Sequence, residues 1–422
     1  MKFAFITPRY GAELSDGPEH ACRLLAEQVA HRHEVEVLTT CARDAASWKN
    51  EYAEGADRVR GVMVRRFSVS QLRDETTLLN ATARLTAGAH DRQDELEWVR
   101  LLGPSAPGLI EHLKRQQRSY DALVFFSLQH ATTVQGLAVA PERSVVFPCL
   151  EADPTLRFSL WGDLLRSARA VGLMSGAERS LLQAYTGISP QHEELVGVGI
   201  EAAAPLTYPR HQQDPADTLP PDDDLAVPEG IEEPDYLSGR GVPFRRRHRL
   251  YGSLVLYGGR LEPDNGTEEM LEYFHPFAAG TPDATLVLMG VKMIPVPDVP
   301  YVRLAGVLPD RDRMAAFEAA DVTIAPTSRD LLVEPLLESL AMGTPVLASA
   351  RNAAAVDHCR RANAGLYYGN AEEFSEALTL LLSDRALRER LGENGQAYVR
   401  QHFRWDAVLG RFDRLVSRVK RA

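Results

Sequence analysis

The feature that most constrains this chain is an alternation of short apolar runs with longer helical ones, carried through two blocks and broken once between them. Strands that alternate with helices pair in parallel and need cover on both faces, so each block reads as a doubly wound α/β unit. In the first block Lys2 to Thr7 reads as a strand, Pro18 to His31 as a helix and Val35 to Thr40 as the next strand. Further strands are expected at Val62 to Phe67, Ala122 to Phe126, Val145 to Phe147, Ala170 to Met174 and Leu195 to Val198. The second block starts at Ser253, with strands over 253–257, 284–289, 301–305, 321–325, 345–348 and 365–368 and helices over 266–275, 310–319 and 333–342. A length of 422 residues also exceeds what one core organises.

The break is a stretch rich in Pro, Asp and Glu from Pro205 to Tyr236. Residues 211–236 hold nine acids and no Lys or Arg. Such a segment cannot bury enough apolar surface to offset the entropy of ordering it, so it is expected to be a flexible insertion. It carries most of the net charge of −11 and leaves −2 for the rest, which gives no basic face for a nucleic acid. The run Arg245-Arg246-Arg247-His248-Arg249 that follows reads as a solvated helix face, with pairing to the acidic segment as the alternative. The expected boundaries are an N-terminal domain over 1–200, a linker with the insertion over 201–250, a second domain over 251–403 and a terminal helix over 404–422.

No apolar run approaches the roughly 18 residues of a membrane span, and Met1 to Ile6 leads into Pro8 rather than a signal-peptide core. The expectation is a cytoplasmic protein. Cys22, Cys41, Cys149 and Cys359 lack metal-type or CxxC spacing and read as buried free thiols, with no metal site expected.

Two motifs carry chemistry. The strand Leu254 to Tyr257 runs into Gly258-Gly259-Arg260-Leu261, with Gly266 just ahead of a helix. Glycines let a backbone approach a phosphate, and an arginine can pair with it bidentately. A tight turn with a solvated arginine is the alternative. Further on, Asp330 and Glu338 lie eight apart, followed by Ala341-Met342-Gly343-Thr344-Pro345-Val346. An acid at a loop mouth and another on the next helix can touch two parts of one ligand.

These residues resemble glycosyltransferase family 4, whose hallmark is E-x7-E followed by A-x-G-x-P-V; here the first acid is Asp330. The resemblance extends to Arg9-Tyr10-Gly11-Ala12-Glu13 with Gly17 and Glu19, similar to the family's first loop. It takes in His33 to Ala42 with Trp48 and Asn50, and Cys359 to Tyr368, which resemble a bacterial subgroup associated with surface polysaccharides. It reaches the terminal helices around Leu391 to Gly395 and Phe403-Arg404-Trp405, which in the family cross back to the N-terminal domain. A basic tail from Arg404 to Arg421 that lies on a membrane is the alternative, and would make the chain peripheral at the inner membrane face.

What the resemblance implies is a GT-B fold, two Rossmann-like domains facing a central cleft, and a retaining transfer from a nucleoside diphosphate sugar to a glycan or lipid-linked acceptor without metal or other cofactor. It assigns catalysis to Asp330 and Arg260. Donor binding falls to Gly17, Gly259, Arg260, Asn265, Val307, Asp330, Glu334 and Glu338, with Glu338 at the start of a helix and taking the ribose. The acceptor side falls to Glu13, Glu19 and Glu151. The chain departs from the family at four places. The first-loop motif reads Asp16-Gly17-Pro18-Glu19, Asn265 replaces a lysine that would neutralise the diphosphate, and Glu151-Ala152 stands where a histidine would meet the donor sugar. A catalytically impaired partner or scaffold is therefore the second reading. An epimerase or phosphorylase on the same fold is a third, whose own motifs are absent.

Overall fold

The computed structural model describes residues 1–15, 17–201, 241–263, 265–329 and 331–419. The acidic stretch over 211–236, Asp16 and Asp330 therefore lie outside the described residues. The chain divides into two compact units, Met1–Gly199 with Trp405–Ala422, and Ile200–Arg404.

Among the described residues the first unit holds an eight-stranded sheet of β1 (Lys2–Ile6), β2 (Glu34–Thr40), β3 (Gly55–Val59), β4 (Val62–Phe67), β5 (Ala122–Phe126), β6 (Ser144–Phe147), β7 (Ala170–Leu173) and β8 (Glu193–Leu195), in the order β3-β4-β2-β1-β5-β6-β7-β8. All neighbours pair in parallel except the β3–β4 hairpin at one edge. The strands β1, β5 and β6 are buried almost throughout, as expected of parallel strands covered by helices on both faces. The last strand ends at Leu195, earlier than the sequence suggests, because Val196 and Gly197 both donate back to the Leu173 carbonyl and turn the chain off the sheet.

The terminal helix Trp405–Val416 belongs to this unit and buries Val408, Leu409, Phe412, Leu415 and Val416. Phe412 packs edge-on to Phe3 at 5.6 Å between ring centroids, and Arg414 pairs with Glu194 at 2.7 Å. Each buried large apolar side chain stabilises by about 1.5–3 kcal/mol, so the helix's apolar face is committed to the sheet rather than to a lipid surface. Among the described residues no helix is long and apolar enough to cross a membrane.

Among the described residues of the second unit, β9 (Leu254–Gly258), β10 (Thr285–Met289), β11 (Val302–Gly306), β12 (Val322–Ala325), β13 (Val346–Ser349) and β14 (Gly365–Tyr368) form a parallel sheet in the order β11-β10-β9-β12-β13-β14. Its core gathers Val255, Tyr257, Phe274, Leu286, Ile324, Leu347 and Phe374. The helix Arg385–His402 lies against the helix Glu334–Met342 through glycine: a Cβ on Gly392 would run into the Gly343 carbonyl, so a side chain there would push the two helices apart.

The helix Val242–His248 corrects the reading of the basic run as a solvated face. Arg246 and Arg247 are exposed, but Arg245 is 4% exposed. Its guanidinium meets Asp321 at 2.8 Å and donates to the carbonyls of Ala319 and Gly252, both at 2.8 Å. A buried guanidinium survives only when its donors are met, and here one carboxylate and two carbonyls meet them. The four cysteines are buried and free.

Candidate functional site

In the second sheet β9 is flanked by β10 on one side and β12 on the other, so successive crossovers leave it in opposite directions. Ligands of open α/β sheets bind beyond the carboxyl ends of strands at such a reversal. The loop after β9 carries Gly259 and Arg260, and the one after β12 leads to Glu334 and Glu338. Both sequence motifs thus sit at the same switch point.

The first loop is held in shape by its neighbours. Gly259 N–H donates to Met289, Leu261 N–H to Val291 and Met293 N–H to Leu261, at 2.8–2.9 Å. Gly290 has a φ of +137° and lies so close that a Cβ would strike the Gly259 carbonyl, so only glycine fits. The Arg260 carbonyl accepts from the Tyr257 hydroxyl at 2.7 Å and from Asn265 Nδ2 at 3.1 Å. The Arg260 guanidinium, partly exposed, pairs through Nε with Glu262 at 3.0 Å and lies 3.3 Å from Met293 Sδ. Val307, just past β11, is 71% exposed.

The second loop ends in Val333, held at a φ of +45° that a β-branched residue rarely adopts. The helix Glu334–Met342 begins at once, with Pro335 in its first turn. Glu334 opens that helix, and Glu338 lies one turn inside it, which corrects the placement of Glu338 at the helix start. A carboxylate there gains little from the free N–H groups of the first turn. Glu338 is 7% exposed, and Arg313 Nη1 sits 2.7 Å from each of its carboxylate oxygens. Burial is the main cause pushing the Glu338 carboxyl up to about 7; Arg313 opposes it, while Glu334 and Asp310 reinforce it.

The first unit has its own reversal, where β1 is flanked by β2 and β5. Gly17, at a φ of +68°, opens the helix Gly17–Val29, and Pro18 follows inside its first turn. Glu19 is 4% exposed and pairs with Arg9 Nε at 2.9 Å. Glu13, more open, accepts from the Tyr52 hydroxyl and pairs with Arg43 at 3.5 Å. Glu151 and Ala152 are exposed in the loop after β6. The loop after the adjacent strand β5 carries a histidine that the sequence reading missed. His130 Nδ1 lies 2.6 Å from Ser127 Oγ, and its ring meets Trp48 edge-on at 5.8 Å. Burial holds its pKa down at about 4, with Glu19 raising and Arg9 lowering it, so the ring is neutral at pH 7. Among the described residues no group of three or more His, Cys, Asp or Glu is placed to hold a metal ion.

Solved structures share this architecture over nearly the whole chain. Anabaena HepE in complex with UDP superposes with a TM-score of 0.65 at 15% identity, covering 99% of this chain and 100% of that one. Sucrose-phosphate synthase from Thermosynechococcus elongatus gives 0.61 at 16% identity, with 99% and 98% covered. The α,α-trehalose 6-phosphate synthase of Burkholderia multivorans gives 0.63 at 16% identity, with 99% of both covered. Residues 244–398, which hold every described residue of the second-unit site, match the family model of glycosyl transferases group 1. The chain is a GT-B glycosyltransferase.

In this glycosyltransferase the structure brings Arg260, Asn265 and Gly259 into one loop, and Glu334 and Glu338 onto one helix. It holds Gly17, Glu13 and Glu19 separately in the first unit. Sequence reasoning passed over Arg313 and Glu262, the partners that now occupy Glu338 and Arg260. Glu262 had a signal, an acid two residues beyond the phosphate-loop arginine. Arg313 had none, because its relation to Glu338 exists only once two helices pack.

Proposed function

We propose that this glycosyltransferase takes its sugar from a nucleoside diphosphate and passes it, with retention of configuration, to a glycan or lipid-linked acceptor. The observation that carries this reading is the convergence, at one strand-order reversal, of a cation in a glycine-rich loop and a buried carboxylate on the facing helix. Arg260 offers charge to the diphosphate as it leaves, the moment at which charge-directed hydrogen bonds lower the barrier most. Glu338 accepts from the ribose hydroxyls. Asp330 and Glu334 are assigned to the transferred sugar and Val307 to the edge of the nucleotide, on the strength of the family resemblance. The solved neighbours support the donor class: HepE is described with UDP and with UDP-glucose. The first unit, with Glu13, Glu19, Glu151 and the newly found His130, is the acceptor half of this proposal, and Gly17 lies there as the loop residue nearest in kind to the family's phosphate approach. The diphosphate is held without a metal ion. Its place is the cytoplasm, at the inner membrane face when the acceptor is lipid-linked.

A second reading, an impaired partner of an active transferase, is favoured by one specific arrangement. Asn265 brings no charge to the phosphate loop, and Glu262 sits on its arginine. The two readings separate on turnover. Incubation with UDP-glucose, UDP-galactose and GDP-mannose, each with a panel of glycan and lipid-linked acceptors, should release nucleoside diphosphate, with a product anomer matching the donor's. Donor binding with no release for any pair favours the impaired partner, and an inverted product contradicts the retaining assignment. Glu338→Gln should weaken nucleotide binding; equal binding would remove the ribose role.

A further inference from the structure

The proposal concerns Arg313, on the helix Asp310–Ala319, and it rests on the reading of Glu338 as the ribose carboxylate. A carboxylate has about four lone-pair directions. Arg313 Nη1 reaches both Glu338 oxygens at 2.7 Å, while its Nη2 is 3.3 Å from Asp310. One guanidinium nitrogen bridging the two oxygens fixes the rotation of the carboxylate and uses about half of its accepting capacity. Two directions remain, one on each oxygen, which suits two hydroxyls on adjacent carbons.

The surroundings make this cation matter. Glu338 is 7% exposed. The groups that bear on its charge are Glu334 on its own helix and Arg313 and Asp310 on the neighbouring one; of these only Arg313 favours the ionised form. The helix Arg385–His402 packs on the far side through Gly392 and Gly395, against Gly343 and Leu340. A buried carboxyl between two acids and no cation would keep its proton near neutrality, and a protonated acid accepts poorly from a diol.

We propose that Arg313 is the positioning residue of the donor site, holding the Glu338 carboxylate ionised and turned so that it receives the vicinal diol of a ribose. It acts through Glu338 and does not touch the reacting atoms. The pair is therefore part of the site's preorganisation rather than a surface ion pair.

The test is titration of the full chain with UDP and GDP, and with 2′-deoxy-UDP and 2′-deoxy-GDP, at pH 7 and pH 9. The proteins compared are the parent, Arg313→Leu, Arg313→Lys and Glu338→Gln. Arg313→Leu should bind the ribonucleotide at least fivefold more weakly than the parent at pH 7, lose the preference for ribose over deoxyribose, and regain much of both at pH 9. That recovery also shows that the variant is folded. Arg313→Lys should restore most of the loss at pH 7. Parent-like affinity and parent-like pH dependence in Arg313→Leu would overturn the proposal. So would tighter binding, which would make Arg313 a competitor of the ribose. If Glu338→Gln weakens binding while Arg313→Leu does not, only the role of Arg313 falls. If Glu338→Gln also leaves binding intact, or the parent binds neither nucleotide, the ribose reading itself falls.

Discussion

The side-chain amide of Asn265 donates to the Arg260 carbonyl at 3.1 Å, beside the Tyr257 hydroxyl that donates to the same oxygen at 2.7 Å. The position at which the resemblance sets a diphosphate lysine is thus occupied by a group that braces the loop. Asn265→Lys exchanges a neutral hydrogen bond, worth about 0.5–1.5 kcal/mol, for a charge-assisted one to phosphate worth about 1.5–3 kcal/mol, and Tyr257 still holds the carbonyl. The expected outcome is nucleotide binding tightened by about five- to tenfold, read by calorimetry with UDP or GDP. Unchanged affinity would show that residue 265 does not face the diphosphate.

Glu262 lies 3.0 Å from Arg260 Nε, and both side chains are partly exposed. A diphosphate arriving at Arg260 competes with a carboxylate already there. Exposed pairs of this kind are worth about 0.2–1 kcal/mol, so Glu262→Gln should raise nucleotide affinity by up to about fivefold, with a larger gain at low salt. Arg260→Ala should weaken binding by more than that. A gain in Arg260→Ala would contradict the placement of the diphosphate.

Arg245 and Asp321 form a buried pair at 2.8 Å, and Asp321 also accepts from the Leu254 N–H at 2.8 Å at the head of β9. Removing one partner of a buried, hydrogen-bonded pair costs about 3–5 kcal/mol. Arg245→Ala should destabilise the second unit by that order, seen as a lower denaturant midpoint, whereas Arg246→Ala should change little. Equal effects from the two would show that the helix is solvated all round.

How far the sequence could be read follows from what each feature depends on. Strands and helices were legible because apolar periodicity is local, and the phosphate loop because glycine next to a strand end has few other uses. Glu338 was identified from spacing, but its depth in the helix depends on Val333, whose left-handed backbone lets the helix start at Glu334. Arg245 looked solvated because a run of five basic residues hides the one that turns inward. The hairpin strand β3 went unseen, since Gly55-Ala56-Asp57-Arg58-Val59 has little apolar alternation and is an edge strand with mostly exposed side chains. His130 was overlooked because the histidine was sought after β6, one strand away.

Glu178 gives the clearest pH signature. It is 1% exposed, accepts from the Leu150 and Met174 N–H groups at 3.0 and 2.6 Å, and has a carboxyl pushed up to about 7 by burial. A folded-state carboxyl pKa above its unfolded value near 4.5 means that the native state binds the proton more tightly. Its contribution to stability is therefore greatest below about 4.5 and is lost as the pH rises to about 7. In denaturant titrations Glu178→Gln should flatten that part of the pH–stability curve. It should also lower stability by about 1–3 kcal/mol at pH 5, because an amide has one acceptor atom for two buried donors. An unaltered curve would place the titration elsewhere.

The central claim is that the second unit binds a nucleoside diphosphate through Arg260 and Glu338. Its most direct test is calorimetric titration of the full chain with UDP and with GDP, alongside the double variant Arg260→Ala/Glu338→Gln. The account predicts saturable one-to-one binding of at least one nucleotide by the parent and a loss of at least tenfold in the double variant. No binding of either nucleotide by the parent, or equal binding by the double variant, would contradict it.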